Sequence, residues 1–179
     1  FDLKTMNKIN LNNFPFVSFC IASFNRKDII IEAISSSLNQ NYPKNKFEVI
    51  VIDNLSTDGT VEEIKNVFLK EINSNKLKII KLNYNMGTSG TYIKVMPYLN
   101  NKWDFLFKLD GDLVLDNNCL IEMINLSKKL KTLSMIGGKV YYYKQRNKIQ
   151  AIGSKLSPIF AIAKGIGGGF PLGACLATK

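Results

Sequence analysis

Two carboxylates one residue apart, in Asp110-Gly111-Asp112, carry the sharpest chemical signal in the sequence. They follow the apolar run 105–109, which is typical of a buried strand, so they fall at a strand end. Carboxylate oxygens are preferred ligands of hard divalent cations, which keep positions open for phosphate oxygens. Such a cation can neutralise a leaving diphosphate. We favour a divalent cation site; the alternative is a turn whose aspartates cap the next helix.

A third carboxylate, Asp53, ends the apolar run 47–52. At this place in a doubly wound sheet, a carboxylate can accept hydrogen bonds from a ribose hydroxyl or a base N–H group. The alternative is an aspartate that only forms a turn. Asp58-Gly59, a few residues further on, is more typical of such a turn, with Thr60 beginning the next helix.

A short glycine-containing segment, Gly87 to Gly90, precedes another helical pattern. Its backbone could approach a ligand closely, and the helix after it would offer N–H groups to an anion. The spacing matches neither the dinucleotide fingerprint nor the P-loop, which disfavours both of those classes.

Apolar runs alternate along the chain with segments of helical spacing. The expected strands are 17–22, 47–52, 77–82, 105–109 and 135–143, and the expected helices are 28–38, with Asp28 as its cap, 60–69, 88–99 and 117–130. This alternation predicts an α/β fold with a mainly parallel central sheet and helices on both faces. Ligands of such sheets bind beyond the carboxyl ends of the strands, so the polar residues there should converge on one edge.

Charge and composition exclude some kinds of catalytic and metal site and indicate which ligands the protein attracts. The chain has 179 residues, no histidine, and 24 basic against 14 acidic residues, a net charge of +10. Without histidine, Ser-His-Asp and Cys-His catalysis and histidine metal sites are excluded within this chain. The positive charge predicts attraction to an anion such as a nucleotide or a membrane surface. Because Arg26 and Arg146 are the only arginines, nucleic-acid binding is disfavoured.

The cysteines and the apolar segments bear on location. Cys20, Cys119 and Cys175 are odd in number and far apart, which favours buried thiols in a reducing compartment over disulfides. No run of 18 apolar residues is present, and residues 1–15 lack the apolar core of a signal peptide. We therefore expect a cytoplasmic protein, with peripheral contact to the inner face of a membrane left open.

Four motifs in a fixed order resemble a known family. They are V-S-F-C-I-A-S-F-N-R from Val17, E-V-I-V-I-D-N-L-S-T-D-G-T from Glu48, N-M-G-T-S-G from Asn85 and W-D-F-L-F-K-L-D-G-D from Trp103. Residues 16–143 thereby resemble the N-terminal half of the family 2 inverting glycosyltransferases, whose fold is the Rossmann-like GT-A fold. The N-x-G-x-x-G form is most similar to the galactofuranosyl- and rhamnosyltransferase-like branch.

The resemblance implies inverting transfer of a sugar from a nucleotide-diphospho-sugar donor to a glycan or lipid-linked acceptor, with Mn²⁺ or Mg²⁺ as cofactor. The donor-binding residues that it implies are Ser23, Asn25, Asp53, Asn54, Asn85, Gly87, Asp110 and Asp112. The first three would line the nucleoside pocket, and Asn85 and Gly87 would lie by the base, ribose or diphosphate. Asp110 would touch ribose or sugar, and Asp112, with Asp110, would bind the metal. Arg26 is equally well explained as a surface cation.

The chain departs from the family beyond the acidic motif. Inverting transfer needs a carboxylate base, yet the only carboxylates after Asp112 are Asp116 and Glu122, in or near the next helix. We therefore expect the catalytic base to be absent from this chain. The expected organisation is an N-terminal extension (1–15), a nucleotide-sugar domain (16–153) and a glycine-rich apolar segment (154–179) from a truncated acceptor region. The alternative function is a non-catalytic sugar-nucleotide or glycan-binding module.

Overall fold

The computed structural model describes residues 14–130 and 136–151, and the backbone of 174–178. The helices are α1 (Ile30–Leu38), α2 (Thr60–Val67), α3 (Leu69–Asn73), α4 (Gly87–Val95) and α5 (Cys119–Lys129). The strands are β1 (Val17–Ser23), β2 (Phe47–Asp53), β3 (Leu77–Lys81), β4 (Phe105–Asp110), β5 (Ile136–Gly137), β6 (Val140–Tyr142), β7 (Gln145–Ala151) and β8 (Ala174–Thr178).

Six strands form the main sheet in the order β3-β2-β1-β4-β8-β5. The first four run parallel, and β8 lies antiparallel to both β4 and β5. The predicted α/β fold with a mainly parallel central sheet is therefore confirmed. β8 was not predicted, since it follows a glycine-rich stretch whose pattern gave no sign of a strand.

The strands β1 and β2 are mostly apolar and buried almost throughout because both faces of the sheet are covered. On one face, Phe19 and Ile21 of β1 join the larger core cluster, to which α1 contributes Ile30 and Ile34. On the other face, Cys20 joins a smaller cluster that includes Val95 of α4. The alternation of β1 side chains between the two clusters fixes the orientation of the strand end that follows.

All four predicted helices differ from the prediction at their ends, although α5 is only one or two residues shorter at each end than the expected 117–130. α1 begins at Ile30 without a side-chain cap, and the Arg26 carbonyl instead accepts hydrogen bonds from the N–H groups of Ile29 and Ile30, so the cap expected at Asp28 is wrong. The helix expected over 60–69 divides at Phe68 into α2 and α3. α4 ends at Val95 and a 3₁₀ turn follows at Met96–Tyr98, because Pro97 cannot continue an α-helix.

The strand expected over 135–143 is wrong as a single element. Within its described part, β5 joins the main sheet, whereas β6 pairs with β7 in a separate antiparallel hairpin. Gly137 and Gly138 lie at the division, and glycine weakens a strand because it has no side chain to pack. β7 gave no apolar alternation to recognise, because six of its seven residues are exposed.

The described cysteines are free: Cys20 is buried and Cys119 is half-buried. The side chain of Cys175 lies outside the described residues. Among the helices that the structure describes, none has both the length and the hydropathy that a membrane span requires.

Candidate functional site

The carboxyl ends of β1, β2 and β4 lie side by side at one edge of the sheet. The strand register pairs Ser23 with Asp53 and Ala22 with Asp110. Asp112 follows two residues after the end of β4. The polar residues that end these separate strands are therefore neighbours in the fold, as their positions in a parallel sheet predicted.

A cleft of about 410 Å³ opens at this edge, and we call it the donor-side cleft. Six of the eight predicted donor-binding residues line it: Ser23, Asn54, Asn85, Gly87, Asp110 and Asp112. Asn25 and Asp53 do not. Seven further residues line it that the predicted set lacked, and four of them have polar side chains: Thr88, Thr91, Lys108 and, left open in the sequence, Arg26. Lys108 gave no signal because it interrupts an apolar strand with a residue type common throughout the chain.

Asn25 joins the loops that follow β1 and β2. Its backbone adopts a left-handed φ of +50°. Its N–H donates to Ser56 Oγ at 2.9 Å, and its Oδ1 accepts from the Thr57 N–H at 2.9 Å. Asparagine tolerates this conformation better than most residues, which explains the residue type without a ligand.

Asp53 is fully buried beside the cleft. Its Oδ2 accepts a hydrogen bond from the Ser56 N–H at 3.0 Å. Its Oδ1, and Oγ of the register partner Ser23, have no hydrogen-bond partner among the described residues. An unsatisfied buried polar group costs about 1–3 kcal/mol, so two on adjacent strands form a place where a hydrogen-bonding molecule would be stabilised.

Asn54 and Asn85 fix the turn that leads into α4. Asn54 Nδ2 donates to Asn85 Oδ1 at 2.7 Å, and Asn54 Oδ1 accepts from the Met86 N–H at 2.8 Å. Asn85 Oδ1 also accepts from the N–H of Gly87 at 2.9 Å, where φ is +65°. The two amides thereby hold the N-terminus of α4 at the cleft, where the positive end of the helix dipole favours negative charge.

The two aspartates of the acidic motif have different surroundings. Burial is the main cause that raises the pKa of Asp110, and the charge of Asp112 raises it further; Lys108 and the Tyr92 hydroxyl oppose the shift. Asp112 is exposed and lies 3.6 Å from a terminal nitrogen of Arg26. An exposed ion pair at this distance contributes little, so the Asp112 carboxylate stays available to another cation.

The glycine at position 111, between these aspartates, is explained by the lack of room for a side chain. A Cβ atom there would lie 2.9 Å from Ile30 Cδ1 and 3.0 Å from the Ala22 carbonyl oxygen. The loop therefore packs directly onto β1 and α1. A larger residue would require either this loop or its neighbours, the Ile30 side chain and the Ala22 backbone, to shift.

Two carboxylates are a donor set that suits a shared cation. Across residues 14–130 and 136–151, no three Asp, Glu, Cys or His side chains are grouped so that they could hold a metal ion by themselves. Mg²⁺ commonly binds through one or two carboxylates and completes its shell with water and substrate phosphates. Asp110 and Asp112 fit such a shared site, in which the protein supplies two carboxylates and the ligand supplies phosphate oxygens.

The raised pKa of Asp110 gives a testable pH dependence. A raised pKa means that the folded state prefers the neutral carboxyl, so ionised Asp110 destabilises the fold above that pKa and not in acid. We expect Asp110→Asn to raise the melting temperature by on the order of 2 °C at pH 7, and by less at pH 4. Thermal unfolding followed by circular dichroism at both pH values measures this, and an equal change at the two pH values would contradict it.

Solved glycosyltransferases share this fold. A mannosyltransferase from Pyrobaculum calidifontis, solved with GDP-Man and Mn²⁺, matches with a TM-score of 0.67 at 16% identity, covering 94% of this chain and 46% of that one. TarS 1–349 from S. aureus, in complex with UDP-GlcNAc, matches with a TM-score of 0.55 at 24% identity, covering 64% and 31%. At these identities the likeness establishes the fold.

Sequence comparison identifies the family to which the chain belongs. A poly(ribitol-phosphate) beta-glucosyltransferase of Bacillus spizizenii is 28% identical over 117 residues, which are 63% of this chain and 17% of that protein. The model of the glycosyl transferase family 2 matches residues 18–168. The molecule therefore has the Rossmann-like α/β fold of the GT-A class. It belongs to glycosyl transferase family 2. The chain spans less than half of the length of each of these three relatives.

Proposed function

We propose that this chain binds a nucleotide-diphospho-sugar in the donor-side cleft, as the donor-binding part of an inverting glycosyltransferase. The observation that carries the proposal is the pair of unpartnered buried oxygens, Ser23 Oγ and Asp53 Oδ1, on adjacent strands beside the cleft that Asp110 and Asp112 line. A nucleoside supplies the hydroxyl and N–H donors that these oxygens lack. The complexes of the mannosyltransferase with GDP-Man and of TarS with UDP-GlcNAc support this donor class.

The remaining residues of the cleft suit the diphosphate. The N-terminus of α4, at Gly87 and Thr88, favours an anion, and Lys108 and Arg26 add positive charge. Asp112 and Asp110 would hold Mn²⁺ or Mg²⁺, which when bound supplies the charge that offsets a leaving diphosphate. The half-buried position of Asp110 keeps its carboxylate partly desolvated, and this strengthens its interaction with a cation.

The base that would take the proton of the acceptor hydroxyl is proposed to lie outside this chain. Oδ1 of Asp116 accepts from the Asn118 N–H at 2.8 Å, and Glu122 is exposed on α5; neither lines the donor-side cleft. We propose residues 16–153 as the nucleotide-sugar domain, preceded by an extension (1–15) and followed by the beginning of an acceptor region (154–179), from which β8 joins the sheet. The acceptor would be a glycan or a lipid-linked molecule.

A non-catalytic sugar-nucleotide-binding module is the second candidate. Favouring it, neither of the two carboxylates that follow Asp112 among the described residues, Asp116 and Glu122, lines the donor-side cleft. The free thiols of Cys20 and Cys119 support a reducing location such as the cytoplasm for either candidate.

Calorimetric titration with UDP and with GDP tests donor binding. We expect saturable binding of at least one of them, at least tenfold tighter with Mn²⁺ than with EDTA, because the ion would bridge the carboxylates and the diphosphate. Inorganic diphosphate is the control, since the net charge of +10 attracts any polyanion. Nucleotide binding no tighter than that of diphosphate would contradict the proposal.

A further inference from the structure

The outer face of α4 is apolar although it faces solvent. Val95 is fully buried in the smaller core cluster. Ile93 lies about 200° from Val95 around the helix axis, and 71% of its surface is exposed. Met96 and Tyr98, in the 3₁₀ turn that continues α4, are 45% and 52% exposed. Three such residues so close together form a patch that indicates a partner, and we call them, with the exposed Lys94, the α4 surface.

The chain around the α4 surface carries positive charge only. Residues 72–103, which include β3 and α4, contain five lysines and no Asp or Glu. Lys78 pairs with Glu48, with 2.8 Å between Nζ and Oε2. Lys81, Lys94 and Lys102 are exposed, and none of them forms an ion pair within residues 14–130 and 136–151. These three lysines are therefore available to an anion from outside the chain.

The carboxylates of the protein do not offset this charge. Helices α1, α2, α3 and α5 pack into the larger core cluster, on the face of the sheet opposite to α4. The acidic residues of these helices are Glu32, Glu62, Glu63, Glu71 and Glu122. Glu48 is taken up by Lys78, and Asp104 accepts a hydrogen bond from the Phe16 N–H at 2.8 Å. Asp53, Asp110 and Asp112 lie at the edge of the sheet that forms the donor-side cleft.

Exposed apolar side chains next to unpaired lysines suit an anionic membrane. Apolar side chains enter the boundary between headgroups and acyl chains, and lysines contact the headgroup phosphates. Tyrosine is typical of this boundary because its ring is apolar and its hydroxyl is polar. A second copy of this chain suits the surface less well, because a twofold interface would bring the same lysines of both copies together and like charges repel.

We propose that the α4 surface binds an anionic lipid bilayer, with Ile93 and Met96 at the boundary of the acyl chains and Lys94 and Lys102 at the headgroups. With nine residues, α4 would lie along the bilayer surface. The acidic helices on the opposite side of the sheet would orient the molecule, with α4 toward the lipids. The proposal goes beyond nucleotide binding and does not depend on it.

Cosedimentation of the full chain with lipid vesicles tests this proposal. Equimolar phosphatidylglycerol and phosphatidylcholine supply the anionic surface, and phosphatidylcholine alone is the comparison. We expect at least tenfold tighter binding to the anionic vesicles, and weaker binding as salt increases. Ile93→Ser with Met96→Ser should weaken this binding at least tenfold, because it removes the apolar contact. Lys94→Gln with Lys102→Gln should weaken it at least fivefold.

The segment where α2 meets α3 offers matched controls on the opposite side of the sheet. Val67→Ser with Leu69→Ser removes two apolar side chains that are 49% and 57% exposed. Lys65→Gln with Lys70→Gln removes two exposed lysines and makes the same change in net charge. Neither control should change the affinity for anionic vesicles. Because all the substituted side chains are exposed, the melting temperatures of the four double variants should stay close to that of the unchanged protein.

The other outcomes would overturn the proposal. Equal weakening by the two pairs of lysine substitutions would indicate an effect of net charge alone. Equal binding to both kinds of vesicle, or no binding at low salt, would also contradict it. Sedimentation velocity without vesicles tests the second copy: a dimer that Ile93→Ser with Met96→Ser dissociates would assign the α4 surface to self-association. Titration with UDP or GDP in Mn²⁺ should be unchanged in all four variants, so a failure of vesicle binding leaves the donor-binding proposal unaffected.

Discussion

Asp112→Asn is expected to remove the gain in UDP or GDP affinity that Mn²⁺ provides, while leaving the metal-free affinity almost unchanged. The variant deletes one of only two carboxylates in the cleft, and with it the charge that a divalent ion needs. The expected loss in Mn²⁺ is at least tenfold. Calorimetry with Mn²⁺ and with EDTA measures both affinities on the same protein.

The folded state should tolerate this change. Asp112 has an exposed side chain, and its contact with Arg26 spans 3.6 Å, so losing that ion pair should alter the melting temperature little. Glu122→Gln is the matched control, since it removes one exposed negative charge from α5, outside the cleft. An Asp112→Asn protein that keeps its Mn²⁺ effect would exclude this residue from the metal site.

The sequence predicted the sheet because buried strands and amphipathic helices leave local patterns. The sequences of β1 and β2 are mostly apolar, with Ser18 and Glu48 as interruptions, because helices cover both faces of the sheet. Because the carboxyl ends of parallel strands lie at the same edge of a sheet, the sequence also predicted that Asp53 and the acidic motif are neighbours. The strands β7 and β8 were not predicted. β7 is an exposed hairpin strand without apolar alternation, and β8 follows a glycine-rich stretch that gave no sign of a strand.

Details of the site depend on contacts that no local pattern encodes. Asn54 and Asn85 meet across 31 residues of sequence, and only the folded structure shows that their amides bind each other. Tyr92 reaches the strand end from α4, where its hydroxyl donates to the Leu109 carbonyl at 3.0 Å. The reason for Gly111 is likewise tertiary, since the obstruction comes from β1 and α1.

Asp53→Asn is expected to weaken binding of UDP or GDP about 10- to 100-fold, equally with Mn²⁺ and with EDTA. A hydrogen bond to a charged acceptor contributes about 1.5–3 kcal/mol, which corresponds to this range. The amide oxygen can still accept from the Ser56 N–H, so the loop and the fold should persist. The other carboxylate oxygen, Oδ1, becomes an NH₂ group, which repels the donor groups of a nucleoside.

Two control variants and a titration with the nucleoside alone test whether the effect of Asp53→Asn comes from a direct contact with the nucleoside. Asp116→Asn makes the same chemical change at a carboxylate that also accepts a backbone N–H, outside the donor-side cleft, and should leave nucleotide affinity unchanged. Ser23→Ala should cause a smaller loss, because it removes a neutral acceptor. Since Asp53 would contact the nucleoside, binding of uridine or guanosine should fall by the same factor as that of the diphosphate. A variant that binds the nucleoside normally would show that a buried water, and not the donor, satisfies this carboxylate.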